Sequence, residues 1–161
     1  KVEEVIRVSV QLKNIQKIQV MMFEVNTDNY YRKNMAPFTS DINLDGLVPQ
    51  DVQEYSYSDL PSNQRHTETF SFVIKRRGLF VIEIIDNEIS VRAIIQKGSL
   101  TLVHKSTIAG HFAFIINEDK EVCSGYTGLL FDNVFYPSDK TTGRILIPFG
   151  RNKTSGKAII M

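Results

Sequence analysis

Apolar residues recur along this chain with a period of two, and the clearest stretch of that rhythm runs from Phe70 to Gln96. Side chains on a strand point alternately to opposite faces, so Phe70, Phe72 and Ile74 share one face. Leu79 to Ile85 is nearly all apolar and rich in β-branched residues, the mark of a strand covered on both sides. Ile89, Val91, Ala93 and Ile95 then face one way, and Ser90, Arg92 and Gln96 the other. Lys75-Arg76-Arg77-Gly78 and Asp86-Asn87-Glu88 are turn chemistry, the first with a glycine free to take positive φ. Period, composition and turns agree, and together they predict a three-stranded meander.

The rhythm holds elsewhere. In residues 4–12, Ile6, Val8, Val10 and Leu12 point inward while Arg7, Ser9 and Gln11 point out. Residues 17–25 read as a second strand, apolar on both faces near Met21 to Phe23; β-branched content favours strand over helix. Residues 26–66 are the least regular. Asn26-Thr27-Asp28-Asn29 reads as a turn, Phe38 to Leu44 as a short strand, and Leu47-Val48 as extended because it precedes Pro49. Glu54 to Tyr57 alternates like an edge strand, and Asp59 to Asn63 is a turn.

Beyond Lys97-Gly98, residues 99–105 and 111–117 are further strands, the latter with Phe112, Phe114 and Ile116 on one face and Phe112 and Phe114 expected in the core. Thr127 to Phe131, Val134 to Tyr136 and Arg144 to Phe149 follow, with Pro148 at a strand end. Ala158 to Met161 is a last apolar run. No amphipathic helix is expected. Short strands with a turn about every 8–12 residues predict an all-β protein. The expected architecture is two tandem antiparallel β-sandwiches, over residues 1–98 and 99–161, with one larger sandwich as the alternative. Both ends already read as strand, so the chain is expected to be a piece of something longer.

Charge narrows the function classes. The 161 residues carry 19 basic and 18 acidic side chains, a formal net charge of +1, which argues against nucleic acid and its demand for a basic stripe. No apolar run reaches the roughly 18 residues of a membrane span. The single cysteine, Cys123, excludes an internal disulfide framework and is compatible with a reducing, cytoplasmic compartment as well as with an outside domain whose core suffices alone. Asn152-Lys153-Thr154 matches a glycosylation acceptor.

Asp41-Ile42-Asn43-Leu44-Asp45-Gly46 is the sharpest local motif. Asp41, Asn43 and Asp45 put oxygen-bearing side chains at odd positions before a glycine, like the opening of a calcium loop. Val52 stands where the closing glutamate belongs, so an Asp/Asn/Gly turn that caps itself is the competing expectation. His66, His104 and His111 lack a zinc-ligand spacing. Cys123-Ser124-Gly125 lacks a nucleophile elbow, and Cys123 is expected as a packing thiol. Lys75-Arg76-Arg77 is a basic turn, solvated or receptive to an acidic partner. Tyr30-Tyr31 beside Arg32-Lys33, together with Tyr55 and Tyr57, form either lids on a sandwich end or a contact surface.

Two stretches resemble known modules. The run IINEDKEVCSGYTGLLFDNVFYPSDKTTGRILIPF resembles small transthyretin-like, carboxypeptidase-regulatory-like sandwiches, in which a turn leads through "D…G" to a closing strand. Asp139, Gly143 and Ile145-Leu146-Ile147 would take those parts. With RRGLFVIEIIDNEISVRAIIQKGSL ahead of it, the longer pattern is similar to the chained immunoglobulin-like, macroglobulin-like sandwiches of α-2-macroglobulin-like proteins. No Cys-Gly-Glu-Gln run is present, so thioester chemistry does not carry over. The resemblance covers roughly residues 70–150. It implies a structural or interaction module of a long extracellular or cell-surface protein.

The expected function is accordingly a non-enzymatic structural or protein-interaction module without a cofactor, its partner another protein or a neighbouring domain of the same chain. Edge strands such as Glu54 to Tyr57 or Ala158 to Met161 would take a partner's strand. The alternative is a loop-end site for calcium or carbohydrate, with Asp41, Asn43 and Asp45 as its signature.

Overall fold

The computed structural model describes residues 4–58, 61, 63–87, 89–149 and 158–161. Asn152-Lys153-Thr154 lies outside them. The protein is all-β, strands in several antiparallel sheets with one short helix. It divides into two compact units, residues 1–25 with 38–97 and residues 26–37 with 98–161.

In the first unit β1 (Glu4–Lys13) pairs with β4 (Arg65–Ile74), while β2 (Lys17–Val25), β3 (Asp51–Ser56), β5 (Gly78–Ile85) and β6 (Ser90–Lys97) form a second sheet in the order β3-β2-β5-β6. The two sheets share one core. Leu12 from β1 and Phe70, Phe72 and Ile74 from β4 meet Ile18, Val20, Met22, Phe80, Ile82 and Ile84 from β2 and β5, with Ile6, Val8, Val10, Ala93 and Ile95 packed around them. The alternation in β1, β4 and β6 decides which residues reach that core.

The meander expected over 70–96 is corrected. β5 and β6 make the hairpin, in register from Gly78↔Lys97 to Ile85↔Ser90. β4 instead joins β1 in the opposite layer, from Glu4↔Ile74 to Lys13↔Arg65. Lys75-Arg76-Arg77 is therefore a crossover between sheets. Three extended residues span about 10 Å, the usual spacing of packed sheets. Arg76 at the middle of the crossover pairs with Glu24, and Lys97 Nζ donates to the Ile74 carbonyl at its start.

β2 and β5 are covered on their second face as well, as Phe23, Val25, Leu79, Val81 and Glu83 are all buried. Residues 38–50 hold no strand, which corrects the strand expected over Phe38 to Leu44. This segment buries Leu44 and is tied back to the sheet where Gln50 N donates to Met22 O at 2.7 Å.

A helix, α1 (Thr27–Asn34), stands where a turn and no helix was expected. Asn26 caps it, its Oδ1 accepting from Asn29 N at 3.0 Å, and Arg32 donates to Asp28 one turn earlier at 2.9 Å. Asp28 in the first turn and Arg32 and Lys33 in the last suit the helix dipole. No residue of α1 is buried, so it has no apolar stripe for a period search to find.

The second unit holds two three-stranded antiparallel sheets. β7 (Leu100–Thr107), β8 (Gly110–Asn117) and β11 (Ile145–Ile147) lie in the order β11-β8-β7, and β9 (Gly128–Phe131), β10 (Val134–Pro137) and β12 (Ala158–Ile160) in the order β10-β9-β12. Their core is Ala113, Ile115, Leu129, Ile145 and Ile147, with Leu102, Cys123, Phe131, Tyr136 and Ile160 around it. Here the expectation that Phe112 and Phe114 lie in the core is corrected. With Ile116 they share a face as expected, but the core takes Ala113 and Ile115, and the aromatic set lies half-buried on the sheet's other side.

Candidate functional site

The calcium-like run sits in the segment covering the first unit's larger sheet. Asn43 Oδ1 accepts from Asp45 N at 2.8 Å, Leu47 N donates to Leu44 O at 3.0 Å, and Gly46 takes φ +82°. These are the bonds of a self-capping turn, and they occupy the Asn43 carboxamide oxygen. Leu44, between the candidate ligands, is the residue the turn buries. Among the described residues, no three His, Cys, Asp or Glu side chains gather as a metal site.

Beneath that segment lies an ion pair the sequence reading missed. Glu83 and Arg92 are direct cross-strand partners on β5 and β6. Arg92 Nη2 meets Glu83 Oε1 at 2.8 Å, with the Glu83 side chain 8% exposed. Arg92 Nη1 also donates to the carbonyls of Ile42 at 2.8 Å and Ser40 at 3.4 Å, and Ser90 Oγ adds a bond to Glu83. The pair thus pins residues 40–42 to the sheet. Its signal was an acid inside an apolar strand, facing a base across the hairpin.

The histidines serve packing and strand pairing. His66 on β4 lies against the Tyr57 ring with centroids 5.1 Å apart. The Tyr57 hydroxyl and His66 Nε2 are both buried without a hydrogen-bond partner. Burial, reinforced by Glu68 and then Tyr55, pushes the Tyr57 phenol up to about 12. Tyr55 packs on Phe70 at 4.9 Å, so Tyr55 and Tyr57 close over the core as lids. In the second unit His111 Nδ1 shares a hydrogen bond with its cross-strand partner Ser106 at 2.9 Å, and its ring meets Phe149 edge-on at 4.9 Å. His104 is exposed on β7. The Cys123 side chain packs against the core of its unit.

Asp139 and Gly143 build the turn that leads into β11. Asp139 Oδ1 accepts from Thr141 N at 3.1 Å, Thr142 N at 2.7 Å and Thr142 Oγ1 at 2.7 Å. Those bonds, Thr142's first, hold the Asp139 carboxyl below its ordinary value, and Arg144 adds to the effect. Gly143 takes φ +68°, and a Cβ there would stand 2.4 Å from Val122 Cγ1.

The outer face of the β11-β8-β7 sheet carries an apolar strip. Leu146, Phe112 and Lys105 form one cross-strand row, and Phe114 and Val103 the next. Ile116 follows, flanked by Thr101 and by Val122 through an isolated bridge. Val103, Val122 and Leu146 are 49%, 48% and 45% exposed, so the strip is open to solvent. The Arg144 guanidinium lies over the Phe112 ring at 4.9 Å from its centroid. A second such stack, Arg32 of α1 over Phe135 of β10, lies elsewhere in the same unit.

Comparison with known proteins adds kinship. Residues 18–98 match the model of the AbpF first immunoglobulin-like domain. Over 152 residues, 93% of this chain, the sequence is 34% identical to Actin-binding protein F of Dictyostelium discoideum. The chain spans only 6% of that relative's length. Among solved structures it is similar to native α-2-macroglobulin from Escherichia coli. A crystal structure spanning domains MG0-NIE-MG1 matches with TM-score 0.46 and 12% identity, covering 95% of this chain and 57% of that one. One spanning NIE-MG1 matches with TM-score 0.42 and 12% identity, covering 95% and 86%.

Proposed function

The chain belongs to the family of the AbpF first immunoglobulin-like domain, and from that premise we propose that it is a non-catalytic protein-interaction module of a much longer actin-binding protein. The observation that carries this is the 34% identity to Actin-binding protein F across 93% of the chain. Sandwich architecture fits the role, because paired sheets bury their apolar faces and leave edges and loop ends free for partners. Since the supporting relative is an actin-binding protein, we place the module in the cytoplasm rather than outside the cell. We keep a transthyretin-like kinship for residues 99–161 as part of the proposal, resting on the Asp139 to Gly143 turn into β11.

Co-sedimentation of the 161-residue chain with actin filaments tests this directly. Saturable pelleting with filaments, absent in their absence, is the expected result. Pelleting no greater than that of an unrelated sandwich domain would remove actin as the partner.

A further inference from the structure

We propose that β7, with the apolar strip beside it, is a docking site for an extended segment of a protein partner. That segment adds as a strand along β7, with an apolar side chain beside Val103 and a carboxylate beside Lys105. This goes beyond the actin reading and does not depend on it.

Three observations converge. First, β7 ends its sheet, paired only with β8 among the described residues. The β7–β8 hairpin closes through Ile108 and Ala109, with Thr107 opposite Gly110. In a two-residue hairpin the flanking pair is hydrogen-bonded and the pattern then alternates. Thr107, Lys105, Val103 and Thr101 therefore spend their main-chain groups on β8. Leu102, His104 and Ser106 direct theirs at the open edge, where an added strand would bond.

Second, the side chains flanking that edge are ready for burial. Val103 leads into the row of Phe114, and Phe112, Ile116, Leu146 and Val122 extend the strip. Water covers a surface that a partner's apolar side chains would cover with gain.

Third, charge selects the partner. No acidic residue lies on β7, and the strip's charged groups are Lys105 and Arg144, both at the Phe112 end. Arg144 is partly offset by Asp139, leaving Lys105 as the cation on the docking edge. The turn after Asn117, at the opposite end, carries three acids, Glu118, Asp119 and Glu121, against one base, Lys120. A carboxylate is thus placed beside Lys105 and not at the Thr101 end. The β3 edge differs: Lys17 pairs with Glu54, and Asp51, Gln53 and Tyr55 bond among themselves along it. Charged side chains along an edge discourage pairing with another chain.

The probe is a blocked seven-residue peptide with isoleucine, isoleucine and glutamate at alternate positions and threonine between, made in both chain directions. Its binding to the whole chain is read by fluorescence anisotropy. Amide exchange of the 15N-labelled chain is followed by NMR. We expect saturable binding and at least about tenfold slower exchange at Leu102 and His104. Val103→Lys and Lys105→Glu should each weaken binding about tenfold, and Lys105→Glu should take up the peptide carrying lysine in place of glutamate. Both positions are exposed, and an unchanged peptide-free NMR spectrum confirms the fold. Absence of binding, or equal binding by all variants, would overturn the proposal and leave Lys105 a guard against pairing. Protection confined to β3 or β12 would overturn it too. Concentration-dependent dimerisation abolished by Val103→Lys would make the occupant a second copy and end the acidic-partner reading.

Discussion

Tyr57 and His66 bury two polar atoms that find no partner, an arrangement folding must outweigh elsewhere. Removing the hydroxyl leaves the Tyr57 ring on the core and deletes the unmet group. Tyr57→Phe should therefore raise unfolding free energy by about 1 kcal/mol, read by urea denaturation. The same phenol makes stability depend on alkaline pH. Its folded pKa is raised from 10.0 to about 12. The contribution is whole below pH 10 and is lost as pH rises through the folded value, because only the unfolded state releases the proton first. The wild-type midpoint should fall across that window, and in Tyr57→Phe that part of the fall should vanish.

Gly143 is the opposite kind of residue, one the turn requires. Its positive φ and the absent Cβ beside Val122 both exclude a side chain. Gly143→Ala should cost about 1–3 kcal/mol, measured as a lower thermal midpoint, without altering β1 to β6 in an exchange map. The sequence showed that Asp139 and Gly143 belong to a turn. It did not show that the bonds of Thr141 and Thr142 close it, since side-chain geometry has no period to read.

Among elements, the covering segment 38–50 depends on the Glu83–Arg92 pair. Arg92→Met keeps an unbranched apolar stem but removes the guanidinium, which strands a buried carboxylate and frees the carbonyls of Ser40 and Ile42. Loss of about 2–4 kcal/mol is expected, since one charge of a buried pair is left uncompensated. Faster amide exchange over β5 and β6 would accompany it, and Arg92→Met combined with Glu83→Leu should recover part of the loss. The strands themselves were legible because alternation is written locally. The helix was not. Its caps and its acid-to-base order were in plain view at Asn26, Asp28, Arg32 and Lys33, but hydrophobic periodicity is the stronger signal and α1 has none. The crossover at Lys75 to Arg77 reads like a hairpin tip because both are short, polar and glycine-ended.

For the whole molecule, near-balanced charge remains the broadest constraint on partners. With a formal charge of +1, the chain should show no saturable binding to duplex DNA at about 150 mM salt, a point a gel-shift titration checks. A salt-sensitive shift at micromolar protein would contradict it. The family match over residues 18–98 covers the larger sheet and β4 but not β1, the strand that pairs with β4 in the opposite layer.

The amino-acid sequence by itself determined that the chain is built of extended segments, and which side chains share a face in each. That follows from a backbone whose successive residues point opposite ways, a property any few neighbours express. Tertiary structure alone decided which segments pair and which face turns inward. Pairing Glu4 with Ile74, or turning Ala113 and Ile115 inward and Phe112 and Phe114 outward, depends on surfaces distant in sequence. Both faces of β8 are apolar, so the local pattern leaves the choice open. It falls to the sheet across the core, where Leu129 fits against the smaller face.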